Sequence, residues 1–175
     1  MNRINRNYNQ TKPKEGPKEH PNWGIRALYN DRQLIRDKKL TKYFIPFDST
    51  NPDKSWHLFI FRDDENEEEF EMTSPTILIG REKFCDIILK DATVSRQHCA
   101  IQFRLTKASE SEPKLITKPY IFDMSSKGGT FINENVVPPM CFIELKPSDT
   151  ISFAKSSENI VVMQLEVHEE VNYDE

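Results

Sequence analysis

Two polar clusters stand close together in the chain, Gly80-Arg81 and Ser95-Arg96-Gln97-His98, with the apolar run CDIIL between them. An arginine presents a planar fork of donors that can meet a phosphate with two parallel hydrogen bonds. A serine at a loop-to-strand junction adds a hydroxyl and a backbone N–H to the same oxygens. The glycine before Arg81 permits a tight departure of the backbone from the preceding strand, ILI. A third cluster, SSKGGT at 125–130, supplies the hydroxyls of Ser125, Ser126 and Thr130, the ammonium of Lys127, and Gly128 and Gly129. Arg81, Ser95, Arg96 and Lys127 are thus the candidate phosphate ligands. No single cluster carries the reading; the order and spacing of all three on a strand-rich pattern does. It predicts capture of a phosphorylated ligand, with no chemistry done on it.

Two catalytic alternatives use the same residues and fit worse. Ser95, His98 and Asp123 are the residue types of a hydrolase triad, but no G-x-S-x-G nucleophile elbow occurs. Ser95 and His98 are also three apart on an emerging strand, so they point to opposite faces. Cys85, His98 and Cys99 are metal-ligand types, but neighbouring strand residues diverge and no C-x-x-C pair exists. The expectation is a protein that is not an enzyme, with no cofactor and no metal.

The elements that must position these residues read as strands. From Trp56 onward, short runs rich in Val, Ile, Phe and Thr recur between turn signals: WHLFIF, TILI, CDIIL, HCAIQFRL, PYIFDM, TFIN, CFIEL, TISFA and NIVVMQLEV. No long stretch has helical periodicity after Ser55. The pattern predicts an all-β sandwich over residues 56–168. The acidic run DDENEEEFE and the polar stretch TKASESEPKLITK read as loops, and residues 169–175 as an acidic tail.

Upstream, residues 1–20 are rich in Asn, Lys and Pro with almost no large apolar side chain, which predicts disorder. Residues 21–55 carry a Trp in otherwise polar sequence. Pro21-Asn22 before Trp23-Gly24 reads as a turn presenting one aromatic, with Leu28 behind it, and predicts an arm that docks on a protein partner. The remainder of 21–55 reads as a linker. Residues 1–55 hold 12 Lys/Arg against 6 Asp/Glu, and residues 56–175 hold 12 against 22. An acidic body is a poor binder of duplex nucleic acid; the basic arm could contact RNA, with only its charge in support. No apolar run approaches the roughly 18 residues of a membrane span, and the N-terminus lacks the apolar core of a secretory signal. Three cysteines, Cys85, Cys99 and Cys141, are an odd number in apolar contexts, predicting buried thiols in a reducing compartment.

In the order GR…SRQH…SSKGGTFIN, the chain resembles the forkhead-associated (FHA) domain family from Trp56 to Val167. The resemblance implies a β-sandwich of about eleven strands that reads phosphothreonine peptides. It implies that Arg81 and Ser95 contact the phosphate, flanked by Arg96 and Lys127, while Gly80, His98, Ser126, Gly128, Gly129 and Thr130 support the loops. The upstream PNWG…AL and the downstream KPYIFDM and FIELKPSDTISF extend the likeness to one subgroup. That subgroup comprises the pre-mRNA leakage subunit of the spliceosomal retention-and-splicing (RES) complex, the Smad nuclear-interacting protein and Dawdle. It implies a nuclear adaptor in mRNA splicing whose arm, through Pro21, Asn22, Trp23, Gly24 and Leu28, docks on an RRM-type subunit. Family members usually carry Asn-Gly-Thr in the third loop, the asparagine gripping the peptide backbone. Here that position is Gly128. The corresponding alternative is a structural scaffold subunit whose cleft no longer reads phosphopeptides selectively.

Overall fold

The computed structural model describes residues 32–62 and 66–165. Pro21, Asn22, Trp23, Gly24 and Leu28 lie outside the described residues, as do the basic and acidic tails. Thirteen strands and no helix occur among the described residues. Eleven of them form two facing sheets, matching the sandwich expected from the strand pattern.

The first sheet contains β3 (Ser55–Arg62), β4 (Asn66–Glu71), β9 (Thr130–Ile132), β10 (Asn135–Val136), β12 (Thr150–Phe153) and β13 (Asn159–Leu165), ordered β10-β9-β12-β13-β3-β4. The second contains β5 (Thr76–Gly80), β6 (Ile87–Ile88), β7 (Cys99–Ser109), β8 (Glu112–Asp123) and β11 (Phe142–Glu144), ordered β11-β8-β7-β5-β6. Every pairing is antiparallel except β5 with β6. The inner faces follow the two-residue period of a pleated strand. Trp56, Leu58 and Ile60 of β3, Ile160 and Val162 of β13, and Ile151 and Phe153 of β12 meet Ile77, Ile79, Ile101, Phe103 and Ile121 of the other sheet.

β5 does not alternate: all five residues of TILIG are buried. An antiparallel sandwich strand is normally wet on its outer face. Here that face is covered by a hairpin of β1 (Gln33–Arg36) and β2 (Lys39–Phe44). Its Leu34 and Tyr43 close a second core cluster with Leu78, Cys85, Ala100 and Met124. Burying each large side chain contributes about 1.5–3 kcal/mol. Polar bonds fix the hairpin's register on the sheet. Tyr43 Oη donates to Gln102 Oε1 at 3.0 Å, and the Arg36 guanidinium donates to Thr76 O at 3.0 Å and pairs with Asp86 at 3.2 Å. These two strands lie within the stretch read from sequence as arm and linker. The turn between them, Asp37-Lys38, has φ of 48° and 62° without a glycine or asparagine, so the usual hairpin signal is missing.

Two polar stretches read as loops are strands in the structure. Asn66–Glu71 pairs along β3 as the edge strand β4, where exposed carboxylates discourage edge-to-edge association. Most of TKASESEPKLITK is the outer end of the β7–β8 ribbon, leaving only Glu110-Ser111 as the turn. Backbone ladders there need no apolar side chains, so composition misled. Cys85 and Cys99 are buried, and burial pushes the Cys85 thiol up to about 12 and raises Cys99 well above its ordinary value. Cys141, read as buried, is exposed ahead of β11.

Candidate functional site

The loop after β5, the loop into β7 and the loop after β8 meet at one end of the sandwich. Backbone pairing joins the first two: Glu82 N–H donates to Arg96 O at 2.9 Å, Arg81 N–H to Ser95 O at 3.2 Å and His98 N–H to Ile79 O at 2.9 Å. This pairing explains Gly80. A Cβ there would overlap the Arg96 carbonyl oxygen and lie 2.9 Å from its carbon, so only glycine lets the two chains approach. Arg81 is then aimed by its own guanidinium, whose Nε donates to Val94 O at 2.5 Å. The Arg81 side chain is exposed and lines a cleft.

Ser95 and His98 tie in the third loop. Lys127 N–H donates to Ser95 Oγ at 3.0 Å, which leaves the serine's own proton for an outside acceptor. Ser95 N–H donates to His98 Nδ1 at 3.0 Å, so Nε2 carries the ring proton and donates to Gly129 O at 3.0 Å. His98 is fully buried, its ring edge-on to Phe153 at 5.6 Å. Desolvation depresses its pKa, opposed in part by the Gly129 carbonyl and by the charge of Asp123. The imidazole is a neutral brace between the two loops.

Asp123 organises the third loop, a role sequence reading did not give it. Its carboxylate accepts Ser126 N–H at 2.9 Å, Ser126 Oγ–H at 2.6 Å and Thr130 Oγ1–H at 2.5 Å. Asp, Ser and Gly clustered after a strand, as from Asp123 to Gly129, are the residue types of a turn. These partners leave the three hydrolase residue types outside a triad arrangement: Ser95 Oγ accepts from Lys127 N–H, His98 bonds the Ser95 backbone N–H and Gly129 O, and Asp123 accepts from Ser126 and Thr130. Gly129 has φ +82°, a backbone that favours glycine.

Gly128 is exposed, yet it has a steric reason of its own. A Cβ there would overlap Ala154 Cβ, lie 2.9 Å from Ala154 Cα and meet Thr93 O at 3.4 Å. On this backbone the asparagine usual in the family has no room for its first carbon.

Arg81, Ser95, Arg96 and Lys127 all line one cleft of about 470 Å³. Arg96 is mostly exposed, and its Nε lies 3.6 Å from Glu82. Ala92, Thr93, Val94 and Gln97 complete that side. The β1–β2 hairpin adds Lys39, Leu40 and Lys42 to the lining, which sequence order did not suggest. Lys42 N–H donates to Gln97 Oε1 at 2.6 Å and anchors β2 beside the Ser95 loop.

A two-sheet sandwich with an arginine fork, a hydroxyl and lysines converging on loops at one end is the build of a phosphate-reading module. Residues 77–154 match the FHA domain, so this part of the chain belongs to that family. Domains of that family are binding modules. Among its relatives the chain is similar to Smad nuclear interacting protein 1 of Rattus norvegicus, 32% identical over 87% of this chain and 40% of that protein. It is similar to pre-mRNA leakage protein 1 of Saccharomyces cerevisiae, 35% identical over 42% of this chain and 33% of that protein. Of solved structures, it resembles the yeast Pml1 splicing factor, described with its integration into the RES complex. That likeness has a TM-score of 0.61 and 25% identity, covering 70% of this chain and 97% of the other. The chain thus spans less than half the length of these curated relatives.

Proposed function

We propose that this protein is a non-catalytic adaptor that binds phosphothreonine peptides within a splicing-associated nuclear assembly of the RES type. The observation that carries the reading is the convergence of Arg81, Ser95 and Lys127 in one cleft. The phosphate sits against the outer fork of Arg81, accepts the Ser95 hydroxyl proton and is flanked by Lys127 and Arg96. Three charge-assisted bonds contribute roughly 1.5–3 kcal/mol each, against an association cost of at least about 4 kcal/mol. The phosphate alone therefore falls short of the roughly 8 kcal/mol of a micromolar Kd, and flanking residues must supply the rest. The arm docks on an RRM-type subunit through Pro21, Asn22, Trp23, Gly24 and Leu28. The similarity to the yeast Pml1 splicing factor and to a nuclear interacting protein supports the setting.

Fluorescence anisotropy with labelled phosphothreonine peptides tests the reading. Binding by the wild type, lost on dephosphorylation and in Arg81→Ala, is expected. No phosphate-dependent binding at any accessible concentration would remove it. For the arm, a chain lacking residues 1–31 should lose retention on the partner subunit in a pull-down; full retention would sink that part.

One observation favours a second reading, a scaffold subunit without selective peptide reading. Gly128 offers no side chain to the peptide backbone, and Ala154 occupies the space such a side chain needs. Equal, weak binding to every phosphothreonine peptide in a library would mark that outcome.

A further inference from the structure

The cleft holds more positive charge than one phosphate uses. Lys39, Lys42, Arg81, Arg96 and Lys127 line it together with a single carboxylate, Glu82. Glu82 lies against Arg96 alone. Among the described residues no carboxylate pairs with Lys39, Lys42, Arg81 or Lys127. A phosphothreonine brings about −1.5 to −2 charges. Set against five cations and one carboxylate, it leaves about two positive charges unmet, and they are on a domain whose body is otherwise acidic.

The placement of the surplus is what decides its meaning. Arg81, Ser95 and Lys127 belong to the three loops, whereas Lys39 and Lys42 come from the hairpin that lines the same cleft. The hairpin is a built wall there. Tyr43 and Thr41 are buried beneath it, Lys42 N–H is bonded to Gln97, and Lys39 Nζ lies 5.6 Å from the Phe84 ring centre.

We propose that Lys39 and Lys42 form a second anion subsite, which holds an additional phosphoryl or carboxylate side chain of the same peptide ligand. This rests on the reading that Arg81 and Ser95 take the phosphothreonine. Both subsites line one cleft, so the second anion is close in sequence to the phosphothreonine; three residues of extended chain span about 10 Å at about 3.3 Å each. RNA is the poorer fit, because Phe84 is the one aromatic lining the cleft and Glu82 stands within it.

The test is anisotropy on the full chain with short phosphothreonine peptides of neutral background. Each carries a phosphoserine, a glutamate or an alanine at one of the three positions on either side. A single-stranded oligoribonucleotide serves as competitor. At low salt the best doubly anionic peptide should bind about fivefold to thirtyfold tighter than the alanine peptide, and the increment should shrink as salt is added. Lys39→Ala/Lys42→Ala should abolish the increment while leaving affinity for the alanine peptide within about threefold. Both side chains are exposed, so unchanged thermal unfolding should show that the fold is intact. The phosphoserine and glutamate arms distinguish a phosphoryl from a carboxylate source. Binding of the alanine peptide through Arg81 with no increment, or with an increment that survives in the double variant, overturns the subsite alone. Loss of phosphate-dependent binding altogether overturns the adaptor reading and the subsite with it. Competition by the oligoribonucleotide that depends on Lys39 and Lys42, without a peptide increment, replaces the peptide by RNA.

Discussion

Restoring the family's usual side chain with Gly128→Asn should weaken this protein, although on sequence alone it looks like a repair. A carbon–carbon contact relaxes at about 3.5–4.0 Å. The new Cβ would overlap Ala154 Cβ outright, and even Ala154 Cα lies at 2.9 Å, about 0.6–1.1 Å too close. Gly128 is not among the glycines with positive φ, so the cost is overlap and not backbone strain. Overpacking of this kind costs about 1–3 kcal/mol, and loss of glycine's freedom in the unfolded chain returns about 0.4–1 kcal/mol. The net loss is about 1–2 kcal/mol, or roughly 3–8 °C in Tm for a domain of this size. Ala154→Gly supplies the control. Ala154 sits at φ 50°, which disfavours a residue with a Cβ, so that change alone should leave stability level or raise it by up to about 1 kcal/mol. Combined with Gly128→Asn it removes the worst overlap but not the 2.9 Å contact, so stability should return partway and peptide affinity should rise above wild type. Urea unfolding measures the first quantity and anisotropy the second. A Gly128→Asn protein as stable as wild type, binding peptide more tightly without any change at Ala154, would refute the steric reasoning.

Three further outcomes are expected. Asp123→Ala orphans the donors of Ser126 and Thr130; it should cost about 2–4 kcal/mol in chemical denaturation and lower phosphopeptide affinity by loosening the Lys127 loop. His98 has a folded pKa below its ordinary 6.5, so the unfolded chain binds more protons at acid pH. The stability it confers is complete above about pH 6.5 and is lost as pH falls through the folded value. Tm should drop from about pH 7 to about pH 5 by more in wild type than in His98→Gln; equal slopes would exclude His98 as the cause. Gln102→Leu removes the acceptor for Tyr43 Oη–H and Thr76 Oγ1–H, and should cost about 2–4 kcal/mol. Amide exchange at Thr41 and Tyr43 should accelerate more than exchange in β13; uniform protection would show that the hairpin does not depend on Gln102.

The strands of the sandwich core were legible because short runs rich in Val, Ile, Phe and Thr recur between turn signals, as in β3, β12 and β13. The hairpin was not, since Asp37-Lys38 gives no glycine signal and its outer face carries Leu40, Lys42 and Phe44 in place of a polar stripe. The unbroken burial of TILIG was the trace it left: a sandwich strand buried on both faces needs a cover, and the sequence does not say what covers it. Asn66–Glu71 failed differently. Edge pairing is a backbone property, and a run of glutamates hides it.

Amino-acid order alone determined the class of this protein. Gly80-Arg81, Ser95 with His98, and Ser126 to Thr130 carry their chemistry in residue type, and the spacing between them is set by strands that read plainly. Tertiary structure decided the shape of the cleft and what else faces it. Lys39 and Lys42 lie some forty residues upstream of Arg81 and reach it only because Leu34 and Tyr43 bury against β5. Whether Gly128 is a loss or an accommodation also depends on Ala154, which β12 brings beside it from 26 positions away. Both are contacts between distant residues, and packing, not local propensity, selects them.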